Sequence, residues 1–161
     1  MAETLEQVYG GHRQGLFTLA LSITRCAARA EDAVQEAFVR MCRNASQDRK
    51  GDLVAYAYTA VRNAAIDQRR RVKAQQPKLE SIFNGRHDAA ERGAVEAERE
   101  RMIAAAIEEL PGEQREAVVL RVYAQLTFAQ IAEVVDAPLQ TVATRYRRAL
   151  ERLRERLGRL V

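Results

Sequence analysis

Residues 127–150, TFAQIAEVVDAPLQTVATRYRRAL, decide how the rest of the chain is read. Gln130 follows Thr127 at the capping-box spacing, in which each side chain satisfies an orphan amide at a helix start. Ile131, Ala132, Val134 and Val135 then give that helix an apolar side. Asp136-Ala137-Pro138 breaks it, because Asp tolerates a left-handed turn and Pro is pre-set for the first turn of a new helix. In the second helix, at about 100° per residue, Leu139, Val142, Tyr146, Ala149 and Leu153 fall on one side. Gln140, Thr144, Arg147 and Arg148 fall on the other, flanked by Thr141 and Arg145. A helix in a DNA major groove needs an apolar back to anchor it, and Arg, Gln and Thr to reach base edges and phosphates. An amphipathic helix with a solvated arginine face gives the same pattern. The capped first helix, the turn and the basic second helix together favour a DNA-reading helix-turn-helix.

The composition agrees with a helical protein. The chain has 161 residues, room for one domain or two small ones, with 47% hydrophobic and 30% charged residues, no Trp and 3 Pro. No apolar run approaches the length of a membrane span and no signal peptide opens the chain, so a cytoplasmic protein is expected. Cys26 and Cys42 lack metal-ligand spacing and read as reduced thiols. His12 lies on an apolar helix face, where a packed structural role is expected, and His87 is far from it. Without a nucleophile motif, metal cluster or glycine-rich phosphate loop, neither an enzyme nor a cofactor is expected.

Charge is distributed in blocks. Residues 1–75 carry 12 basic and 8 acidic side chains, 76–98 carry 3 and 5, 99–138 carry 4 and 7, and 139–161 carry 7 and 2. Positive charge is therefore focused on the last helix, and again at Arg69, Arg70, Arg71 and Lys73. Two separated basic sites suggest two contacts with a polyanion, with solvated charge as the simpler alternative for either one.

Working outward from the helix-turn-helix, residues 96–109 and 113–123 predict two helices joined at Pro111-Gly112, with Ile103, Ile107, Val118, Val119 and Val122 as a small core. Periodicity dissolves over 74–95, AQQPKLESIFNGRHDAAERGAV, which reads as a linker between helical domains. The expected division is a domain at 1–74, a flexible linker at 75–95 and a four-helix domain at 96–161. The first domain holds helices at 3–25, 30–44 and 53–73. In the second of these, Glu31 and Asp32 suit the positive end of the helix dipole, and Val34, Ala37, Phe38, Met41 and Cys42 make the buried face. Asp32, Gln35, Glu36, Val39 and Arg43 lie opposite, a valine ringed by polar groups like a small protein-contact patch, though a lone exposed valine needs no explanation. In the third, Ala57, Ala60, Val61, Ala64 and Ala65 face inward. One expected exposed stripe holds Tyr58, Arg62, Arg69 and Lys73, and another Tyr56, Asn63 and Arg70. Aromatics beside arginines can stack on unpaired bases while charge holds the backbone, although tyrosines at a helix start also serve as packing residues.

Taken in order, EDAVQEAFVR (31–40), AYAYTAVRNAAIDQRRR (55–71) and the run from Ile107 to Arg154 resemble the extracytoplasmic-function (ECF) group of bacterial RNA polymerase sigma factors over nearly the whole chain. The resemblance implies an all-α protein that binds core RNA polymerase at the beta-prime clamp and the beta flap, directs promoter-specific initiation and is restrained by an anti-sigma factor. It implies that Asp32, Gln35, Glu36 and Val39 dock on the clamp. Loop 45–52 with Tyr56, Tyr58, Arg62, Asn63 and Asp67 would capture melted −10 bases, and Arg69, Arg70 and Arg71 would hold phosphate. Gln140, Thr141, Thr144, Arg145, Arg147 and Arg148 would read the −35 duplex. Tyr56-Ala57 stands where the family usually has Trp-Leu, Asp136 and Gln140 where Gly is common, and Ala143 where a basic residue is common. A stand-alone helix-turn-helix regulator, or a module that sequesters an anti-sigma factor, would share parts of this pattern.

Overall fold

In the computed structural model, which describes residues 3–44, 51–72 and 93–158, several helices begin or end where a side chain or a turn conformation allows it. Helix α1 (Leu5–Thr24) starts at a capping box between Thr4 and Gln7 and stops at Arg25, whose left-handed backbone (φ 58°) ends the ladder. Helix α2 spans Ala27–Arg43. Helix α3 (Leu53–Arg71) is capped by Asp52, whose carboxylate accepts from the amides of Val54 and Ala55 at 2.8 and 3.2 Å. Helix α4 (Ala94–Glu108) turns through Pro111 into the short α5 (Gly112–Val118). A π-helical turn over Val119–Tyr123 follows. Then come α6 (Phe128–Val135) and α7 (Leu139–Gly158). Among the described residues every regular element is helical.

The expected helix-turn-helix is present. Thr127 Oγ1 accepts from the Gln130 amide at 3.1 Å, while the Thr127 amide donates to Gln130 Oε1 at 2.9 Å. Asp136 adopts the left-handed conformation (φ 52°) that ends α6. Of the predicted apolar back of α7, Val142 and Ala149 are buried, Tyr146 and Leu153 are partly buried, and Leu139 is exposed.

Other expectations about the helices need correction. Helix α2 starts at Ala27 rather than residue 30, so Glu31 and Asp32 lie beyond its first turn and cannot cap its dipole. Cys42 is exposed, since the buried face of α2 ends at Met41. The helix predicted over 113–123 changes pitch at Val119, where the Ala124 amide reaches back five residues to the Val119 carbonyl at 3.0 Å. That wider turn leaves Val122 exposed, and Ile103 is exposed on α4. Most of the expected linker, and residues 45–50 of the expected base-capturing loop, lie outside the described residues.

Packing joins the two halves of the chain. Ile107, Leu110, Val118 and Ala149 form a small cluster within the C-terminal helices. The larger cluster combines Leu16, Leu19, Met41, Tyr58 and Val61 of α1–α3 with Val119, Leu120, Leu126, Ile131 and Val134. Gly15 makes the approach possible: a Cβ there would collide with the Tyr58 hydroxyl and lie 3.1 Å from Ala124 Cα. Gly10, on the same helix, faces open space.

These two glycines give opposite expectations. Gly10→Ala should raise stability by about 0.5–1 kcal/mol through helix propensity. Gly15→Ala should lower it by about 1–3 kcal/mol through overpacking. Urea unfolding of both variants measures the pair, and equal stabilisation would contradict the close approach at Gly15.

Candidate nucleic-acid and protein interfaces

Helix α2 presents its polar face to solvent. Asp32, Gln35 and Val39 are exposed and Glu36 is half-buried, with Val39 keeping 49% of its surface accessible. Glu36 pairs with Arg40 one turn on at 2.7 Å, the i,i+4 arrangement that orders a helix surface at low cost. These side chains, with Gln68 of α3, line a shallow open depression. A large apolar group within a polar rim is an arrangement suited to a protein partner.

Helix α3 divides its predicted residues between surface and core. Asn63, Arg69, Arg70 and Arg71 are exposed, Tyr56 is only just exposed, and Asp67 is half-buried. Tyr58 is fully buried, which corrects the expected exposed stripe. Its hydroxyl lies 3.0 Å from His12 Nδ1, the two rings meet edge to face, and burial pushes the phenol up from its ordinary pKa. His12 thus has the packed role expected of it.

Arg62 is neither core nor free surface. Its Nε donates to Glu116 Oε1 of α5 at 2.8 Å, with side-chain exposures of 26% and 15%. Burial pushes the Glu116 carboxyl up. The Arg62 charge and hydrogen bond, and the Arg145 charge, pull it down, but the net shift remains upward. A second bridge lies at the start of α3, where Gln130 Nε2 of α6 donates to Asp52 Oδ2 at 2.8 Å. Burial raises the Asp52 pKa, and the hydrogen bonds from Gln130, Ala55 and Val54, with the His12 charge, outweigh it and hold the carboxyl below its ordinary value. A third joins Arg25 to Glu108, 4.0 Å between charged atoms and 3.3 Å from Arg25 to the Glu108 carbonyl. Glu108, Glu116 and Gln130 were missed as contacts because each bridges residues more than fifty positions apart, and helical periodicity carries no information on such pairings.

On α7, Gln140, Arg147 and Arg148 are exposed, and Thr141 and Thr144 are half-buried. Arg145, also half-buried, is drawn back to Glu113 of α5 at 3.4 Å. Phe128 of α6 meets Tyr146 of α7 edge to face with ring centroids 5.5 Å apart, fixing the angle at which the arginine face is presented. Arg115 positions α5 by donating to the carbonyls of Glu108 and Leu110 at 2.8 and 2.9 Å, which satisfies the end of α4. Among the described residues no group of His, Cys, Asp and Glu could hold a metal ion, and no helix is long and apolar enough to cross a membrane.

Residues 8–75 match the family Sigma-70 region 2, and residues 100–153 match Sigma-70, region 4. The ECF RNA polymerase sigma factor SigL of Mycobacterium tuberculosis is 30% identical over 162 residues, covering 99% of this chain and 92% of the relative. SigK of Mycolicibacterium vanbaalenii, also an ECF RNA polymerase sigma factor, is 26% identical over 164 residues, covering 98% and 83%. Among solved structures, the sigma factor RpoE in complex with the anti-sigma factor NepR from Bartonella quintana superposes with a TM-score of 0.69 at 24% identity, covering 96% of this chain and 94% of that one. CnrH in complex with the cytosolic domain of CnrY gives 0.68 at 22% identity, covering 95% and 86%. These structural likenesses show the fold.

The raised Glu116 carboxyl gives a pH expectation with a definite sign. The folded protein holds that proton more tightly than the unfolded chain, so the Glu116 contribution is fully present below the ordinary carboxylate pKa and is lost as pH rises through the raised value. Stability of the wild type relative to Glu116→Gln should therefore fall as pH rises above the ordinary carboxylate range. Urea titrations of both proteins at several pH values measure it; a difference that stays flat or grows with pH would contradict the burial.

Proposed function

The chain belongs to the ECF group of bacterial RNA polymerase sigma factors, and on that premise we propose how its surfaces share the work of promoter-directed initiation. As a member of that family it binds core RNA polymerase and directs promoter-specific transcription initiation. Residues 1–74 act as the polymerase-binding and −10-reading domain, 96–161 as the −35-reading domain, and 75–95 as the connection. On α2, Asp32, Gln35, Glu36 and Val39 dock on the beta-prime clamp: a solvent-facing apolar residue with acidic neighbours suits a partner that is itself basic at that contact. On α3, Tyr56, Arg62, Asn63 and Asp67 contact the melted −10 strand, with Tyr58 beneath them, while Arg69, Arg70 and Arg71 hold phosphate. On α7, Gln140, Thr141, Thr144, Arg145, Arg147 and Arg148 enter the −35 major groove.

The observation that carries this reading is the two-faced α7, with Val142 and Ala149 buried behind it and Gln140, Arg147 and Arg148 free in front. Arginine offers a planar fork that matches both guanine edges and phosphate oxygens. Selectivity then comes from groove contacts and from strand separation, and affinity from phosphate contacts that weaken with salt. The beta flap is proposed as the polymerase contact of the C-terminal helices. An anti-sigma factor is proposed as a further partner, in keeping with the complex that RpoE forms with the anti-sigma factor NepR.

Run-off transcription with purified core polymerase and a promoter library tests the assignment and yields the recognised sequence. Arg147→Ala with Arg148→Ala should lower −35-dependent transcription by about tenfold or more and flatten its salt dependence. Unchanged activity would remove α7 from the groove. Asp32→Ala with Glu36→Ala should weaken binding to core polymerase while leaving helical circular dichroism intact, and undiminished affinity would remove the docking assignment.

A further inference from the structure

A cavity of about 320 Å³ opens where the end of α1, α3, the start of α5 and α7 converge. The guanidinium groups of Arg62, Arg69, Arg115 and Arg145 line it, against the carboxylates of Glu113 and Glu116, so cations outnumber anions by four to two. Arg62 is held by Glu116 at 2.8 Å and Arg145 by Glu113 at 3.4 Å, which leaves the other two arginines unneutralised. Arg69 is exposed and pairs with no carboxylate among the described residues. Arg115 spends Nη2 on the carbonyls of Glu108 and Leu110, while its Nε is buried with no acceptor. Burial lowers the Arg115 pKa, and the charges of Arg25 and Arg69 lower it further against the opposing pull of Glu108. Positive charge is thus in excess at this place. Ile23, Ile66 and Val135 supply apolar walls that thin the surrounding water and strengthen any charge interaction inside.

We propose that this cavity binds a small phosphorylated anion, with a diphosphate group bridging Arg69 and Arg115 and drawing Arg145 away from Glu113. Two unneutralised guanidinium groups on different helices call for a ligand with at least two anionic groups, and each offers the charge-assisted hydrogen bonds that phosphate oxygens accept best. Glu113 is a weak competitor for Arg145, because its side chain keeps 74% of its surface in solvent. The ligand is compact because the cationic groups converge on one cavity. A nucleic-acid backbone, by contrast, is followed by charges spread along a surface. Bound there, the anion touches α3, α5 and α7 together and stabilises their packing by mass action.

The test is calorimetric titration of the full chain with inorganic pyrophosphate, in about 0.15 M potassium chloride to screen diffuse ion binding. One site per chain is expected, with a melting temperature that rises with pyrophosphate concentration. Arg69→Ala, at an exposed position, should weaken binding about tenfold. Arg71→Ala removes the same charge from α3 outside the cavity and should leave binding nearly unchanged. Glu113→Gln removes the carboxylate that competes for Arg145 and should tighten binding, whereas Glu133→Gln, the same change at an exposed site on α6, should not. Adenosine diphosphate is the second probe. Tighter binding than pyrophosphate assigns the apolar walls to a nucleoside, and equal or weaker binding leaves the diphosphate alone as the ligand; both uphold the site. Absence of binding by either probe would overturn the proposal. Equal losses in Arg69→Ala and Arg71→Ala would overturn it too, marking a diffuse cationic surface instead of a site.

Discussion

Two helix starts meet at one carboxylate. Asp52 caps α3 through the amides of Val54 and Ala55, and its other oxygen accepts from Gln130, itself a member of the capping box that opens α6. The N-terminal end of each helix carries partial positive charge, so bringing the starts of α3 and α6 together would be unfavourable without an anion between them. Asp52 supplies that anion, and its depressed carboxyl pKa reflects how many donors converge on it. Through Gln130 a local device, helix capping, is extended across 78 positions of sequence and fixes how the halves sit.

The Arg62–Glu116 pair works on a different principle. Asp52 is stabilised in its charged form by what surrounds it, whereas Glu116 on balance is not. A buried ion pair of that kind adds little net stability over an apolar contact of the same shape, but removing one partner leaves an uncompensated charge and is costly. It therefore specifies which surfaces meet more than it holds them together. The attraction between the halves comes mainly from Leu16, Leu19 and Tyr58 against Leu120, Leu126 and Ile131, whose burial is not weakened by the screening that weakens an ion pair. Adhesion and register are thus carried by different residues.

Local features were legible in the sequence because their causes are local. The Thr127–Gln130 capping box, the left-handed Asp136 and the two faces of α7 each follow from residues within a few positions of one another. So do the exposed ring around Val39 and the inward alanines of α3. The pitch change at Val119 was not legible, since nothing in VLRVY departs from an ordinary helix, and the wide turn arises where Val119 and Leu120 must face α1 while Val118 faces Ile107. Tyr58 was misplaced for a related reason. Periodicity put it on the stripe of Arg62 and Arg69, and packing against His12 and Gly15 of α1, with Ala124 beside them, turns that part of the stripe into core. The candidate surfaces on α2 and α7 could be read because most of their residues face solvent, Arg145 excepted, whereas much of α3 could not because its partner is the chain itself.

The block pattern of charge acquires a structural cause from these contacts. Residues 1–75 and 139–161 are both net basic, so the halves repel at long range, and the intervening 99–138, with 4 basic against 7 acidic side chains, is the acidic stretch. Four of its carboxylates pair with arginines: Glu108 with Arg25, Glu116 with Arg62, Glu113 with Arg145 and Glu109 with Arg156. Two of those arginines belong to the N-terminal half and two to the basic helix, so the acidic block lies between two cationic surfaces and neutralises part of each. On each surface the arginines therefore divide into those already paired with a carboxylate, Arg62 and Arg145 among them, and those left exposed, Arg69–Arg71 and Arg147–Arg148. A ligand presenting several anionic groups at once gains most from such a surface, because the exposed arginines add to its binding without a carboxylate being displaced.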